Sequence, residues 1–211
     1  FFSFVVSAQA QNNALDFDGT NDYVNLGDNA FDFGNTSFTL EVKFKTSSAS
    51  GERVLFGKDG FCYFNGYFAR VENDNKIHFY VSALNAGGTC GDTSKFAVAA
   101  TSATVNDGNW HTASFVVDRT NDLELSIYID GVYDVTGSNT RNTGVTSSDN
   151  ITNGESLGLG AINHYAESGE NGTYVQGGLW SNYFTGQLDE FRVWNTARTQ
   201  TEIQTNMNTE L

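Results

Sequence analysis

Apolar and polar residues alternate with a period of two along several parts of the chain, and this pattern constrains the fold most. In residues 38–45 (FTLEVKFK) every even position is apolar and every odd position is polar. Residues 123–129 repeat the pattern and are followed by Asp130 and Gly131, a pair that favours the type I′ turn of a hairpin. Because successive side chains of a strand point to opposite faces, the pattern predicts antiparallel strands with one buried and one solvated face.

Further short strands are predicted where apolar residues are bounded by turn residues, such as those at 73–75, 106–108 and 120–122. The predicted strands are residues 14–17, 23–26, 53–57, 61–71, 76–82, 96–99, 110–118, 157–161 and 184–194. Two polar segments, 137–154 and 163–182, lack alternation and are predicted as loops. The pattern as a whole is typical of an all-β sandwich or barrel.

One short helix is predicted at the C-terminal end. Thr199 and Glu202 have the spacing of a capping box, in which the side chain of each residue bonds the backbone N–H of the other. Ile203 and Met207 follow four residues apart and form a small apolar stripe. Because so short a helix is stable only when packed, we expect it to lie on a sheet.

Charge and length limit the classes of partner and the number of domains. The 211 residues include 11 Lys and Arg against 25 Asp and Glu, a formal net charge of −14. Nucleic acids and anionic lipid surfaces attract clustered basic side chains, and the 11 basic residues of this chain form no such cluster in the sequence. Neither a nucleic-acid partner nor direct membrane insertion is therefore expected. A length of 211 residues with 39% hydrophobic residues suits one domain with its own core.

The first ten residues resemble the end of a secretory signal peptide. Residues 1–6 (FFSFVV) are apolar but too few to span a bilayer, and Ala8 and Ala10 form an A-x-A cleavage pattern. We therefore expect residues 1–10 to be removed and residues 11–211 to form one secreted or surface-exposed domain of a longer protein. The alternative is that residues 1–10 form a first strand at a sheet edge.

Cys62 and Cys90 are the two cysteines of the chain. In an exported protein such a pair persists as a disulfide. The bond would close a loop of about 29 residues and stabilise the folded state by about 3–4 kcal/mol. Two cysteines are too few for a structural zinc site unless histidines join them, and the three histidines are scattered. We therefore predict a Cys62–Cys90 disulfide.

Three segments of the chain carry motifs that are informative when they are taken in order. They are residues 14–24 (ALDFDGTNDYV), residues 107–111 (DGNWH) leading into 128–131 (YIDG), and residues 184–195 (FTGQLDEFRVWN). Together they resemble the laminin-G-like group of the concanavalin-A-like lectin/glucanase superfamily. The resemblance covers residues 12–205 and implies a two-sheet antiparallel jelly-roll sandwich whose first and last strands are adjacent. It leaves the function open, because this fold hosts lectins, adhesion modules, pentraxin-like proteins and glycosidases.

The carboxylates that a glycosidase of this fold would need are missing from the predicted strands. Hydrolysis requires two carboxylates about 5–10 Å apart, and laminarinase-type hydrolases of this fold carry them on one strand in an E-x-D-x-x-E pattern. Glu41 is alone on its strand, and Asp189 and Glu190 are neighbours that point to opposite faces. A non-catalytic domain is therefore expected.

The resemblance also implies a structural calcium ion that joins the two ends of the chain. In similar jelly rolls the aspartate that Asp189 matches binds the ion together with the N-terminal segment. Asp18 is the matching N-terminal ligand, with a backbone carbonyl from the loop near Gly34. Alternation places Asp189 on the face of Phe191 and Val193, the expected core face, where an unpaired carboxylate is costly.

The alternative to calcium is local bonding of the same residues. Asp18 and Asp22 can each form an Asx turn with nearby backbone amides. Asp189 can pair with Arg192 or Arg198 instead of a metal ion.

Aromatic residues in the second polar segment are candidates for sugar binding. Tyr165, Tyr174, Trp180 and Tyr183 lie among glycines and amide side chains, which supply stacking surfaces and hydrogen bonds. Residues 61–67 have the same ingredients. The alternative is that these rings pack under the loops or cover a sheet edge.

A secreted, non-catalytic carbohydrate-binding or adhesion module with a structural calcium ion is the expected function. Its partner would be an extracellular glycan or glycoprotein, and the negative charge favours a neutral glycan. Two alternatives stay open: a structural or protein–protein interaction domain of a large surface protein, and an accessory domain of a polysaccharide-degrading enzyme. The oligomeric state is not predicted.

Overall fold

Two large antiparallel sheets face each other across an apolar core in this computed structural model, which describes residues 14–28, 31–59, 65–83, 95–135, 141–142, 144–167 and 174–209. Sheet A contains, in spatial order, β1 (Leu15–Asp18), β15 (Thr185–Trp194), β3 (Phe38–Lys45), β8 (Trp110–Asp118), β9 (Glu124–Ile129) and β10 (Val132–Tyr133). Sheet B contains β11 (Arg141–Asn142), β7 (Phe96–Ala100), β6 (Ile77–Ala83), β5 (Asn65–Val71), β4 (Arg53–Asp59), β12 (Gly158–Leu159) and β2 (Val24–Asn25). The remaining elements are the hairpin of β13 (Ile162–Glu167) and β14 (Tyr174–Ser181) and the helix α1 (Gln200–Asn206).

This architecture confirms the predicted all-β jelly-roll sandwich with one short C-terminal helix. The adjacency of the first and last strands is also confirmed, because β1 pairs with β15 and places Leu15 opposite Leu188. The hairpin between β9 and β10 has the predicted turn, since Asp130 and Gly131 both have positive φ, 52° and 75°.

The core lies between the inner faces of the two sheets. Every even residue of β3, namely Phe38, Leu40, Val42 and Phe44, is fully buried, as the alternation predicts. Across the sandwich, Phe56 of sheet B meets Phe115 of sheet A edge to face, with ring centroids 5.0 Å apart. Aromatic pairs of this kind add to the stability from buried apolar area.

The helix α1 begins at the predicted capping box. The Thr199 hydroxyl accepts from the Glu202 amide, and the Glu202 carboxylate accepts from the Thr199 amide. Ile203 is fully buried, and the Arg192 guanidinium of β15 donates to the Asn206 carbonyl at 2.6 Å. These contacts hold α1 on the outer face of sheet A.

Part of sheet A that alternation predicts to be solvated is covered. Thr39 and Glu41 are buried, and the Thr39 hydroxyl donates to the Thr196 carbonyl at 2.8 Å. Burial raises the pKa of Glu41 above its usual value, although the charges of Arg198 and Arg192 oppose that shift. Thr39 and Glu41 are buried because the segment that follows β15 folds back over the outer face of β3.

The segment 163–182, predicted as a loop, is a hairpin instead. Residues of β13 and β14 pair from Ile162 opposite Ser181 to Glu167 opposite Tyr174, and the hairpin packs on the outer face of β4, where Ile162 lies over Gly57. The pairing uses backbone hydrogen bonds, which form without an apolar alternation in the side chains. The other predicted loop, 137–154, contributes the short β11 to sheet B.

Candidate functional site

A β-bulge in β15 determines where Asp189 lies. The register to β3 shifts between Asp189 and Arg192, and Glu190 has a φ of 48°. The extra residue reverses the alternation, so Asp189 lies opposite Lys43 on the outer face of sheet A, whereas Phe191 packs against the core. The expectation that Asp189 shares the core face of Phe191 is therefore corrected.

Asp18, the other predicted calcium ligand, lies far from Asp189 along the paired strands β1 and β15. Asp18 lies opposite Thr185, and Asp189 is four residues further along β15, about 13 Å away at the usual rise of a strand. The Asp18 carboxylate accepts from the Thr20 amide at 2.7 Å, and the Asp22 carboxylate accepts from the Asp18 amide at 2.9 Å. The Asp18 bond is the Asx turn of the alternative interpretation, whereas the Asp22 carboxylate bonds an amide four residues before it and forms no Asx turn.

These two aspartates do not fit one shared calcium ion, which needs six to eight oxygen ligands at about 2.3–2.6 Å. Within the described ranges, no three His, Cys, Asp or Glu side chains converge on a point. The alternative pairing of Asp189 with Arg192 is not formed either, because Arg192 pairs with Glu190 at 2.5 Å. Asp189 lies instead on the outer face of sheet A, beside Lys43.

The predicted aromatic residues are distributed over the β13–β14 hairpin. Tyr165 is on β13 and Tyr174 begins β14; the side chains of both lie outside the described part. Trp180 stacks on Tyr23 with ring centroids 4.2 Å apart. A Cβ on Gly158 would come within 2.2 Å of the Trp180 ring, so Trp180 fills the joint between the hairpin and the edge of sheet B.

The other residues predicted for sugar binding that the structure describes do not form an open binding surface with Trp180. Tyr183 is half-buried between β14 and β15. Tyr67, at the end of the candidate segment 61–67, is 1% exposed and belongs to the core. Cys62 and Cys90 lie outside the described residues, so their disulfide stays a prediction.

The disulfide prediction has a direct chemical test. Thiol titration of the unfolded, unreduced protein is expected to find no reactive thiol, and reduction is expected to release two and to destabilise the fold by about 3–4 kcal/mol. A Cys62→Ser, Cys90→Ser double variant should match the reduced protein. Two reactive thiols before reduction would rule the bond out.

The outer face of sheet A is open beside the end of α1, where it forms a groove of about 460 Å³. The groove, which we call the Trp110 groove, is lined by Ala14, Lys43, Trp110, His111, Thr112, Asp130, Asp189, Met207 and Asn208. Its volume falls within the range of small-ligand sites. From β15 to the end of β9 its floor crosses three strand spacings, about 14 Å.

Trp110 supplies the aromatic surface of this groove. It is the first residue of β8, opposite Lys45 on the outer face of sheet A, and it is 43% exposed. The turn before it is fixed by the Asn109 amide, which donates to the Asp107 carboxylate at 2.8 Å. A large exposed ring at the wall of a concave site is unusual for a side chain with only a packing role.

Lys43 and Asp189 are the charged groups on the floor. They face each other across β3 and β15, yet the Lys43 ammonium has no ion-pair or hydrogen-bond partner among the residues that the structure describes. Asp189 Oδ1 accepts from the Glu190 amide at 2.8 Å, and its second oxygen has no bonded partner in the same ranges. Both groups are therefore available to a ligand.

His111 braces one wall of the groove between two carboxylates. Its Nδ1 lies 2.8 Å from Asp130 Oδ2 and its Nε2 lies 3.1 Å from Asp107 Oδ1. Burial opposes the charged imidazolium, but the bonds to Asp130 and Asp107 outweigh it and raise the pKa of His111. The Asn109 amides and the His111 ring lower the pKa of Asp107 to about 2.

The raised pKa of His111 predicts a pH-dependent contribution to stability. Its folded value lies above the unfolded value of about 6.5, so the contribution is complete below that pH and is lost as the pH rises through the folded pKa. Denaturant unfolding of the wild type and His111→Gln between about pH 5.5 and 9 should show a difference that shrinks on raising the pH. We expect less than about 1 kcal/mol, because solvent screens a partly exposed pair; a difference that grows with pH would contradict the bracing.

Sequence reasoning did not identify the Trp110 groove. The segment 107–111 served only as a mark of the fold, although Trp110 falls on the predicted solvated face with Lys43 and Lys45. The position of Trp110 on the predicted solvated face was the available signal, because an aromatic ring on such a face calls for an explanation. The position of Asp189 beside Lys43 was hidden by the bulge.

An antiparallel two-sheet jelly roll with an open groove on one outer face defines a lectin-like sandwich. The chain belongs to the Laminin_G_3 family of the concanavalin A-like lectin/glucanases superfamily, whose model matches residues 18–204. No curated protein matches the sequence. Within the described residues, no helix has the length and apolar composition of a membrane span.

Solved structures with the same fold are distant in sequence. Mouse laminin alpha1 domains LG4-5 match with a TM-score of 0.56 at 17% identity, over 88% of this chain and 41% of that one. The binding domain of Paraclostridial Mosquitocidal Protein 1 matches with a TM-score of 0.61 at 13% identity, over 96% and 47%. CBM40 of the Ruminococcus gnavus IT-sialidase matches with a TM-score of 0.53 at 14% identity, over 82% and 83%. The chain thus spans less than half the length of the first two.

Proposed function

We propose that this domain binds an extracellular carbohydrate, free or on a glycoprotein, in the Trp110 groove. The observation that carries the proposal is the exposed indole of Trp110 in one groove with the Lys43 ammonium and the second Asp189 oxygen, neither of which has a partner among the described residues. The apolar C–H face of a pyranose gains dispersion contacts on an aromatic ring. Its hydroxyls can donate to the Asp189 carboxylate and accept from the Lys43 ammonium, so one site supplies both kinds of contact.

Relatives of the same fold support a carbohydrate ligand. One similar structure is a sialidase CBM40, and another is the ligand binding domain of botulinum neurotoxin serotype D in complex with N-acetylneuraminic acid. Laminin LG domains also share the fold, which is consistent with action outside the cell. We propose secretion or surface display on this ground and on the signal-like residues 1–10.

The charges at the groove favour a neutral glycan. Asp107, Asp130 and Asp189 are acidic, whereas Lys43 and a protonated His111 are the basic groups near them. Together with the net charge of −14, this balance repels sulfated and uronic polymers at low salt. A shallow site with one stacking ring is expected to bind with a dissociation constant in the micromolar to millimolar range, about −8 to −4 kcal/mol.

We propose that the bound glycan is not hydrolysed and that binding needs no calcium. Both carboxylate oxygens of Asp130 are already bonded, because Oδ1 accepts from the Thr112 amide and Oδ2 lies 2.8 Å from His111 Nδ1. A glycosidase needs two carboxylates that act on the substrate, and Asp189 is the groove-lining carboxylate with an oxygen that has no bonded partner among the described residues. The misfit of Asp18 and Asp189 to one ion supports binding that does not depend on a metal.

A glycan array, run with the wild-type protein in calcium and in excess chelator, tests the proposal. The expected result is binding to neutral glycans with the same pattern in both buffers. Hydrolysed array glycans, or binding that disappears in chelator, would contradict the non-catalytic or the metal-free part respectively.

A protein–protein adhesion domain is the second candidate. It is favoured by the edge strand β10, where Val132 is 60% exposed and Tyr133 is 49% exposed, since an exposed apolar edge can pair with another chain. No binding to any glycan at high protein density on the array would favour this candidate over the first.

A further inference from the structure

A buried ammonium lies inside a cage of oxygen atoms away from the Trp110 groove. The Lys58 side chain, on β4, is 1% exposed. Its Nζ lies 2.6 Å from Asp28 Oδ1 and 3.2 Å from the Asp28 carbonyl. Asp32 Oδ1 is 3.3 Å away, the Glu155 carbonyl 2.5 Å and the Asn153 carbonyl 3.4 Å. We call these five residues the Lys58 cage.

The cage offers more oxygen than a lysine can use. An ammonium has three N–H donors, whereas five oxygen atoms from two separate chain segments converge on Lys58. Two are carboxylate oxygens and three are backbone carbonyls, which is the set of hard donors that Ca²⁺ takes. The acidic side chains of Asp28 and Asp32 are 38% and 28% exposed, so water can complete the coordination from that side.

We propose that the Lys58 ammonium replaces a divalent cation in this cage, and that removing it creates a calcium site. The ammonium leaves the two carboxylates with a net charge of −1, whereas Ca²⁺ would neutralise them. Asp28 Oδ1 and the Glu155 carbonyl, at 2.6 and 2.5 Å from Nζ, already lie near the Ca–O distance of about 2.3–2.6 Å. The other three oxygen atoms, at 3.2–3.4 Å, would have to move inward by about 0.6–1.1 Å to reach it.

The role of the cage is to join segments that are distant in sequence. Lys58 bridges the loop after β2, which holds Asp28 and Asp32, to the loop before β12, which holds Asn153 and Glu155. A bound cation would make the same bridge. With lysine, the bridging positive charge belongs to the protein itself, so the bridge does not depend on the calcium concentration.

The test compares Lys58→Ala, which opens the cage, with Lys58→Met, which removes the charge but fills the space. Both variants are expected to melt below the wild type in chelator, because the two partly exposed carboxylates and the carbonyls around them lose their cation. Calcium at 100 times its dissociation constant should raise the melting temperature of Lys58→Ala by about 5–10 °C. The wild type and Lys58→Met should rise by much less, and calorimetry should find one more bound Ca²⁺ in Lys58→Ala than in the wild type.

Three results would overturn the proposal. One is a Lys58→Ala melting curve that does not respond to calcium, and another is an equal calcium response of the wild type. The third is a response that survives Asp28→Asn in the Lys58→Ala background, since the ion would then be bound elsewhere. If Lys58→Ala is unfolded in chelator, recovery of the native circular dichroism spectrum on adding calcium supports the proposal, and failure to recover it counts against it.

Discussion

Gly186→Ala is expected to lower the free energy of unfolding by more than about 3 kcal/mol, one of the largest effects of a single methyl group in this domain. Gly186 has a φ of 135°, which L side chains rarely adopt, and a Cβ there would lie 2.1 Å from the Lys45 carbonyl oxygen. That oxygen belongs to the backbone of the paired strand β3, so it cannot rotate away. The strands β15 and β3 would have to separate at the end of their pairing, next to Lys45.

Gly51→Ala is the matched control. Gly51 also has a positive φ, 77°, but no heavy atom lies within 4 Å of its Cβ position. It should therefore lose only about 1 kcal/mol, from backbone strain alone. Urea unfolding of the two variants measures the difference. Equal losses would contradict the close approach of β15 to β3.

Trp110→Ala is expected to weaken glycan binding by about 10- to 100-fold, which is about 1.4–2.8 kcal/mol. The change removes the apolar ring surface on which the sugar stacks. Because the ring is 43% exposed, the loss of stability should be small. Titration calorimetry with a neutral glycan selected on the array gives the dissociation constants, and urea unfolding gives the stability.

Tyr133→Ala is the matched control for ligand binding. Tyr133 is an aromatic residue of similar exposure, 49%, on β10 outside the lining of the Trp110 groove. It should leave the affinity unchanged. If Trp110→Ala binds as the wild type does while Trp180→Ala loses affinity without loss of stability, the ligand binds at the aromatic hairpin instead.

The elements that follow local rules could be predicted from the sequence. Alternation in residues 38–45 gave β3 and its buried face, Asp130 and Gly131 gave the hairpin turn, and Thr199 with Glu202 gave the start of α1. Each depends on the geometry of a few consecutive residues, so their side-chain types are sufficient. The order of strands β1 and β15 followed from the resemblance rather than from such rules.

The candidate site depended on contacts that local rules do not contain. One bulged residue, Glu190, moved Asp189 to the outer face and beside Lys43. The polar segment that became β13 and β14 is held by backbone pairing, which leaves little trace in side-chain pattern. In the Lys58 cage, Lys58 of β4 donates to the Glu155 carbonyl, 97 residues further along the chain.

The three tryptophans of the chain allow a direct test of ligand binding in the Trp110 groove. Each indole Nε1–H gives its own resonance in a ¹H–¹⁵N spectrum, assigned by Trp110→Phe, Trp180→Phe and Trp194→Phe. On titration with a neutral glycan, the Trp110 resonance is expected to shift in a saturable way, while those of Trp180, stacked on Tyr23, and Trp194, under the Arg198 guanidinium, stay in place. A saturable shift of Trp180 with no shift of Trp110 would contradict binding in the groove.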